Sequence, residues 1–170
     1  KPDFTVGIDG LIVADFSARI EAYAALRRTL EEGLPGLQVT DDVSEIRRAE
    51  NALAIRIRAA RAGARQGNIF TPAISTAFRL LFPTFMTPGI CAAIVNEDDD
   101  PETGGIEYRT GGSYPRGQPL STVPPSVLEA LPRLPEDVQY RFIKRDLILY
   151  DTRANMMLDR IKSAIRCSPR

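Results

Sequence analysis

Four residues of a kind that anchors protein contacts, Tyr108, Arg109, Tyr114 and Arg116, fall inside the glycine-rich stretch from Gly104 to Gly117. Tyr and Arg carry much of the binding energy at protein interfaces, and the stretch lacks the strand-to-helix context of a phosphate-binding fingerprint. A second group, Arg47, Arg58, Arg61 and Arg65, recurs at roughly helical spacing. Such a stripe could hold a phosphate or a polyanion. The competing reading is a solvated helix face paired with Glu21, Glu31 and Glu32, since residues 1–66 contain ten basic and ten acidic residues. Candidate proton-transfer groups are Asp146, Asp151, Asp159, Tyr108 and Tyr150. A half-buried carboxylate has its pKa raised by desolvation, but Arg141 and Arg160 are near enough in sequence to make salt bridges of Asp151 and Asp159.

What is missing narrows the chemistry further. The 170 residues include no His and no Trp. That excludes His-based triads, imidazole metal ligands and the usual proton shuttle near neutral pH. No Ser, Thr or Cys sits in a nucleophile context such as G-x-S-x-G. The acidic run from Glu97 to Glu102 offers oxygen ligands for Ca²⁺ but lacks the Gly and the terminal acid of an EF-hand loop. It is expected to be a solvated loop, and no metal or cofactor is assigned. The 22 basic and 22 acidic residues cancel, so no global field draws in nucleic acid. No apolar run approaches the roughly 20 residues of a membrane span.

The elements that must position these residues can be read from periodicity. Phe16, Ile20, Tyr23, Leu26 and Leu30 form one stripe, predicting a helix from Asp15 to Glu32 that Gly33 and Pro35 stop. Residues 4–13 ahead of it are expected to be extended. Asp42 with Glu45 reads as a capping box, opening a helix that follows Val43, Ile46, Leu53, Ile57 and Ala64 to Gly67. A short link should make the two an antiparallel hairpin. Thr71-Pro72 and Thr87-Pro88 each place a capping hydroxyl before a first-turn proline, predicting helices 72–82 and 88–95. Pro124-Pro125 starts another that ends near Leu131.

The period then drops to two. Residues 138–143, 147–150 and 156–161 predict a three-stranded antiparallel meander with turns at Lys144-Arg145 and Arg153-Ala154. One face would carry Val138, Tyr140, Phe142, Leu147, Leu149, Met156 and Leu158. The other would carry Ile143, Ile148, Tyr150, Met157 and Ile161, with Arg141, Asp146 and Asp159. The second face is too apolar for open solvent, so another part of the chain or a partner must cover it. The expected architecture is one α+β domain: an N-terminal helical hairpin and short helices on a small C-terminal antiparallel three-stranded sheet. Residues 83–124 would be a Pro/Gly-rich connection.

The series Leu131-Pro132, Tyr140-Arg141, Leu147 to Asp151 and Met156 to Asp159 resembles the C-terminal end of small exported bacterial proteins of unknown function, and Gly67 to Pro72 is similar to a second stretch of them. Those proteins carry Gly in the first turn where this chain has Lys144-Arg145. The resemblance implies a periplasmic or secreted setting and supplies no catalytic residue. Cys91 and Cys167 are either free thiols or a disulfide holding the tail, which needs an oxidising compartment. A chain opening at Lys1 fits a trimmed or mature product, and its nineteen Arg against three Lys fit a GC-rich bacterial genome.

The expected function is that of a non-catalytic accessory protein. It would bind another protein, or a second copy, through Ile148, Tyr150 and Met157 on the second sheet face together with Tyr108, Arg109, Tyr114 and Arg116. The alternatives are an anion-binding module using Arg47, Arg58, Arg61 and Arg65, and a His-free Asp/Tyr acid–base enzyme.

Overall fold

The computed structural model describes residues 10–34, 40–96, 107–117 and 123–167. The acidic run therefore lies outside the described residues, as do positions 4–9. Among the described residues five helices precede one sheet: α1 (Gly10–Glu31), α2 (Val43–Ala60), α3 (Pro72–Phe85), α4 (Pro88–Asn96) and α5 (Pro125–Ala130), then β1 (Val138–Ile143), β2 (Asp146–Asp151) and β3 (Met156–Ile161). The sheet is an antiparallel meander in the order β1-β2-β3. The α+β architecture is thus the expected one. Among the described residues no single helix is long and apolar enough to cross a membrane.

α1 and α2 run antiparallel with an offset. Arg61 stacks on the Tyr23 ring at 5.2 Å, while Arg56, earlier in α2, donates to the carbonyl of Leu30, later in α1. The first half of α2 consequently overhangs the end of α1, and most of its side chains are exposed. Asp42 caps α2 by accepting from the Ser44 amide at 2.8 Å. Glu45 takes the hydroxyl of Thr40, and that hydroxyl accepts the Asp42 amide, so the box closes through Thr40.

Three helix boundaries differ from expectation. α1 begins at Gly10, so residues 10–13 are helical rather than extended. α2 stops at Ala60, leaving Arg61 and Arg65 outside it, because the following loop is drawn to the sheet by contacts made far along the chain. α3 runs through Pro83 to Phe85. Pro83 removes one amide donor, but the Thr84 hydroxyl caps the Leu81 carbonyl at 2.7 Å and Met86 N–H still reaches Phe82 at 2.9 Å.

The helices cover one face of the sheet. Phe16 of α1, Phe70 of the loop and Phe78 of α3 form a ring cluster with centroids 5.4–5.6 Å apart, and Phe82 continues it to Phe142 on β1 at 6.1 Å. Such aromatic pairs add to the stabilisation from buried area. A β-bulge between Leu149 and Tyr150 decides what else reaches this face. Leu149 pairs with Asp159 but Tyr150 with Met157, so Leu158 is the extra residue. Strict alternation would have placed Asp159 and Ile161 on the far side. The bulge turns both toward the helices, where Ile161 joins the main core.

Cys91 of α4 and Cys167 form a disulfide across a sequence separation of 76. Closing so long a loop restricts the unfolded chain and contributes about 2–4 kcal/mol. Replacing both cysteines by Ala, or reducing the bond, should lower the melting temperature by about 5–10 °C in a thermal melt. Unchanged melting under reductant would show that the bridge is not stabilising.

Candidate functional site

The far face of the sheet is covered by this chain itself. Residues 107–117 lie across it as a strap. Gly111 N–H donates to the Met157 carbonyl and Met157 N–H to the Gly112 carbonyl, both at 2.8 Å, and Ser113 bridges Met156. Tyr114 meets the Tyr150 ring edge-on at 5.9 Å. Asn155, in the left-handed region at φ 47°, donates to the Tyr114 carbonyl and accepts the Tyr150 hydroxyl at 2.7 Å. At the other end the Arg160 guanidinium stacks on Tyr108 at 4.6 Å. Ile143, Ile148, Tyr150 and Met157 are buried together with Tyr114 as a second small core. Of the two covers expected for this face, another part of the chain or a partner, the strap is the one present, and Ile148, Tyr150, Met157 and Tyr114 pack together beneath and within it. Tyr108 is half-buried, and Arg109 and Arg116 are exposed on the strap, with Arg116 paired to Glu50 of α2 at 3.0 Å.

The strap also rearranges the arginines. Arg58 donates from Nε to the Gly111 carbonyl at 2.8 Å and from Nη2 to Ser113 Oγ at 3.0 Å, clasping strap to helix. The turn there requires glycine: Gly111 has φ +77°, and a Cβ on Gly112 would meet the Arg109 carbonyl oxygen at 2.9 Å. Between the end of α2 and this turn lies a cavity of about 450 Å³, lined by Arg58, Arg61 and Arg109 with the buried side chains of Ile57 and Met156 among its apolar wall. Among the described residues its lining includes no carboxylate. Arg47 and Arg65 are exposed and do not line it. The expected four-arginine stripe is therefore not a unit: its central pair is joined by Arg109 from the strap. Of the acids expected opposite it, Glu31 pairs instead with Arg153. The adjacent Arg109 and Gly111-Gly112 were the available signal, but nothing local said which helix the turn would face.

The carboxylates are structural. Asp159 is fully buried, and each of its oxygens accepts two backbone amides: Oδ1 from Gly67 and Arg160, Oδ2 from Ile69 and Phe70, all at 2.8 Å. Asp151, also fully buried, accepts the Tyr23 hydroxyl at 2.6 Å and the amides of Arg153 and Ala154, and lies 3.6 Å from Arg27. Asp146 pairs with Arg160 and takes the Ser163 amide. The salt bridges expected from Arg141 and Arg160 to Asp151 and Asp159 are thus replaced by Arg27 and by backbone donors. Burial pushes the Tyr108 and Tyr150 phenols up to about 12, and that of Tyr23 higher still by burial and then the Asp151 charge. These hydroxyls hold their protons at neutral pH and do not serve as bases there. Among the described residues no group of three or more His, Cys, Asp or Glu could hold a metal ion. No known protein family, curated protein or solved structure matches this chain.

Proposed function

We propose that the protein is a non-catalytic binding module that holds an anionic group in the cavity between the end of α2 and the strap. The observation that carries this reading is the convergence of Arg58, Arg61 and Arg109, from segments about fifty residues apart, on a concave site with no carboxylate among the described residues of its lining. Guanidinium groups present several donors in a planar fork suited to phosphate, sulfate or carboxylate. Arg58 is pre-oriented by the strap, so less ordering accompanies binding. The Cys91–Cys167 bridge supports an exported setting, because such bonds persist in oxidising compartments.

Thermal shift with inorganic pyrophosphate tests the site. At low salt, saturating pyrophosphate should raise the melting temperature by several degrees, since a ligand at about 100 times its dissociation constant adds about 2.7 kcal/mol. The shift should shrink with added NaCl. It should fall at least threefold in Arg61→Gln/Arg109→Gln, whose side chains make no described ion pair. A shift that persists in that variant would place the anion elsewhere, and no shift at any salt would end the proposal.

A further inference from the structure

A second cavity, of about 530 Å³, lies between the end of α3 and the chain that follows β3. Leu80, Pro83 and Met86 supply its apolar surface over the buried Phe82 and Ile165, and Arg79 and Arg166 line it from the two sides. Leu80 is 73% exposed. Among the described residues the lining carries two arginines and no carboxylate, while Asp146 accepts the amide of Ser163, a lining residue. Neither α3 nor α4 contains an Asp or Glu, and neither does the stretch from Arg160 to Arg170. The wall formed by the tail is fixed in place. Ser163 N–H donates to Asp146 at 2.8 Å, Ile165 N–H to the Arg145 carbonyl at 3.3 Å, and Cys167 is bonded to Cys91. Arg79 spans the gap, donating from Nε and Nη2 to the Lys162 carbonyl at 3.3 and 2.8 Å. That carbonyl holds the guanidinium at the mouth of the groove while leaving its charge uncompensated by any described carboxylate.

A preformed apolar trough with a few placed polar groups is the usual character of a small-molecule site. The chemistry here selects among ligands. A bare inorganic anion would leave the apolar wall unused, and a neutral hydrocarbon would leave the two guanidinium groups unused. We propose that this groove binds an aliphatic monocarboxylate, its chain along Leu80, Pro83 and Met86 and its carboxylate against Arg79 and Arg166. This site is separate from the arginine cavity beside the strap and does not depend on it.

Decanoate, held below its micelle concentration, and decanol as the neutral analogue of equal chain length make the test. Titrations are followed by calorimetry and by the methyl NMR signals of Met86 and Ile165. Decanoate should bind saturably with those methyl signals shifting, and decanol at least tenfold more weakly. Arg79→Gln/Arg166→Gln should weaken decanoate at least tenfold and leave decanol unchanged. Both residues are exposed, and an unchanged melting temperature confirms that the variant folds; the single variant Arg166→Gln, expected to weaken decanoate at least threefold, provides a second reading. Pyrophosphate should not compete. The proposal is overturned if decanoate fails to saturate, if decanol binds as tightly, if the charge variants bind decanoate normally, or if pyrophosphate displaces it.

Discussion

Asp159→Asn should destabilise the protein by about 4 kcal/mol, lowering the melting temperature by about 10 °C. The change is nearly isosteric, so its effect isolates the hydrogen bonds. Both oxygens of Asp159 accept two backbone amides each. Whichever way an Asn side chain turns, its NH₂ faces two N–H groups, which then lack an acceptor inside the protein. Leaving a buried donor unsatisfied costs about 1–3 kcal/mol, and the charge-assisted strengthening of the remaining two bonds is lost as well. The loop from Gly67 to Phe70 carries Phe70 into the ring cluster with Phe16 and Phe78, so releasing the loop also loosens the main core. Urea denaturation measures the loss. A change below about 1 kcal/mol would show that water or a repacked loop satisfies these amides.

Asp151→Ala is the second large effect, expected at about 3–5 kcal/mol. Arg27 is only 4% exposed and lies between Asp151 and Asp137, at 3.6 and 3.2 Å. Removing Asp151 leaves a buried guanidinium with the half-buried Asp137 as its remaining carboxylate, frees the Tyr23 hydroxyl, and strips two amides of the β2–β3 turn of their acceptor. This network ties α1 to the β2–β3 hairpin, and the Arg153–Glu31 pair reinforces the same junction. A double-mutant cycle separates the charge pair from the turn. Arg27→Met alone should also destabilise, and Arg27→Met/Asp151→Ala should be less destabilised than the sum of the two singles. Strict additivity would mean that Asp151 acts through the turn and Tyr23 alone.

Much of this fold is visible in the sequence because its elements carry local signals. The Thr-Pro pairs start α3 and α4 where their geometry requires, and the switch from helical to alternating spacing marks the three strands. The disagreements come from contacts made at long range. α2 ends early because Asp159, more than ninety residues away, holds the loop after it. The bulge beside Tyr150 has no Gly or Pro to announce it, and it moves Asp159 and Ile161 to the other face. The apolar far face of the sheet shows in the sequence that it needs cover. Its cover is a strap whose Tyr108 and Tyr114 look from the sequence like contact residues for a partner. Tyr114 and Tyr150 have the same composition signature whether they anchor a neighbour or each other, so residue type alone could not separate the two. Likewise the helical spacing of Arg47, Arg58, Arg61 and Arg65 loses its meaning once the helix stops at Ala60.

Arg58, Arg61 and Arg109 are proposed to act together as one anion site. Side-chain Nε–H NMR signals of assigned arginines during a pyrophosphate titration address it most directly. The account predicts that the signals of Arg61 and Arg109 shift and saturate along a single curve, with Arg58 and the amides of Thr110 to Gly112 following it, while Arg47 and Arg65 stay still. Shifts that are linear and equal across all exposed arginines, or that saturate at Arg47 or Arg65 instead, would contradict it.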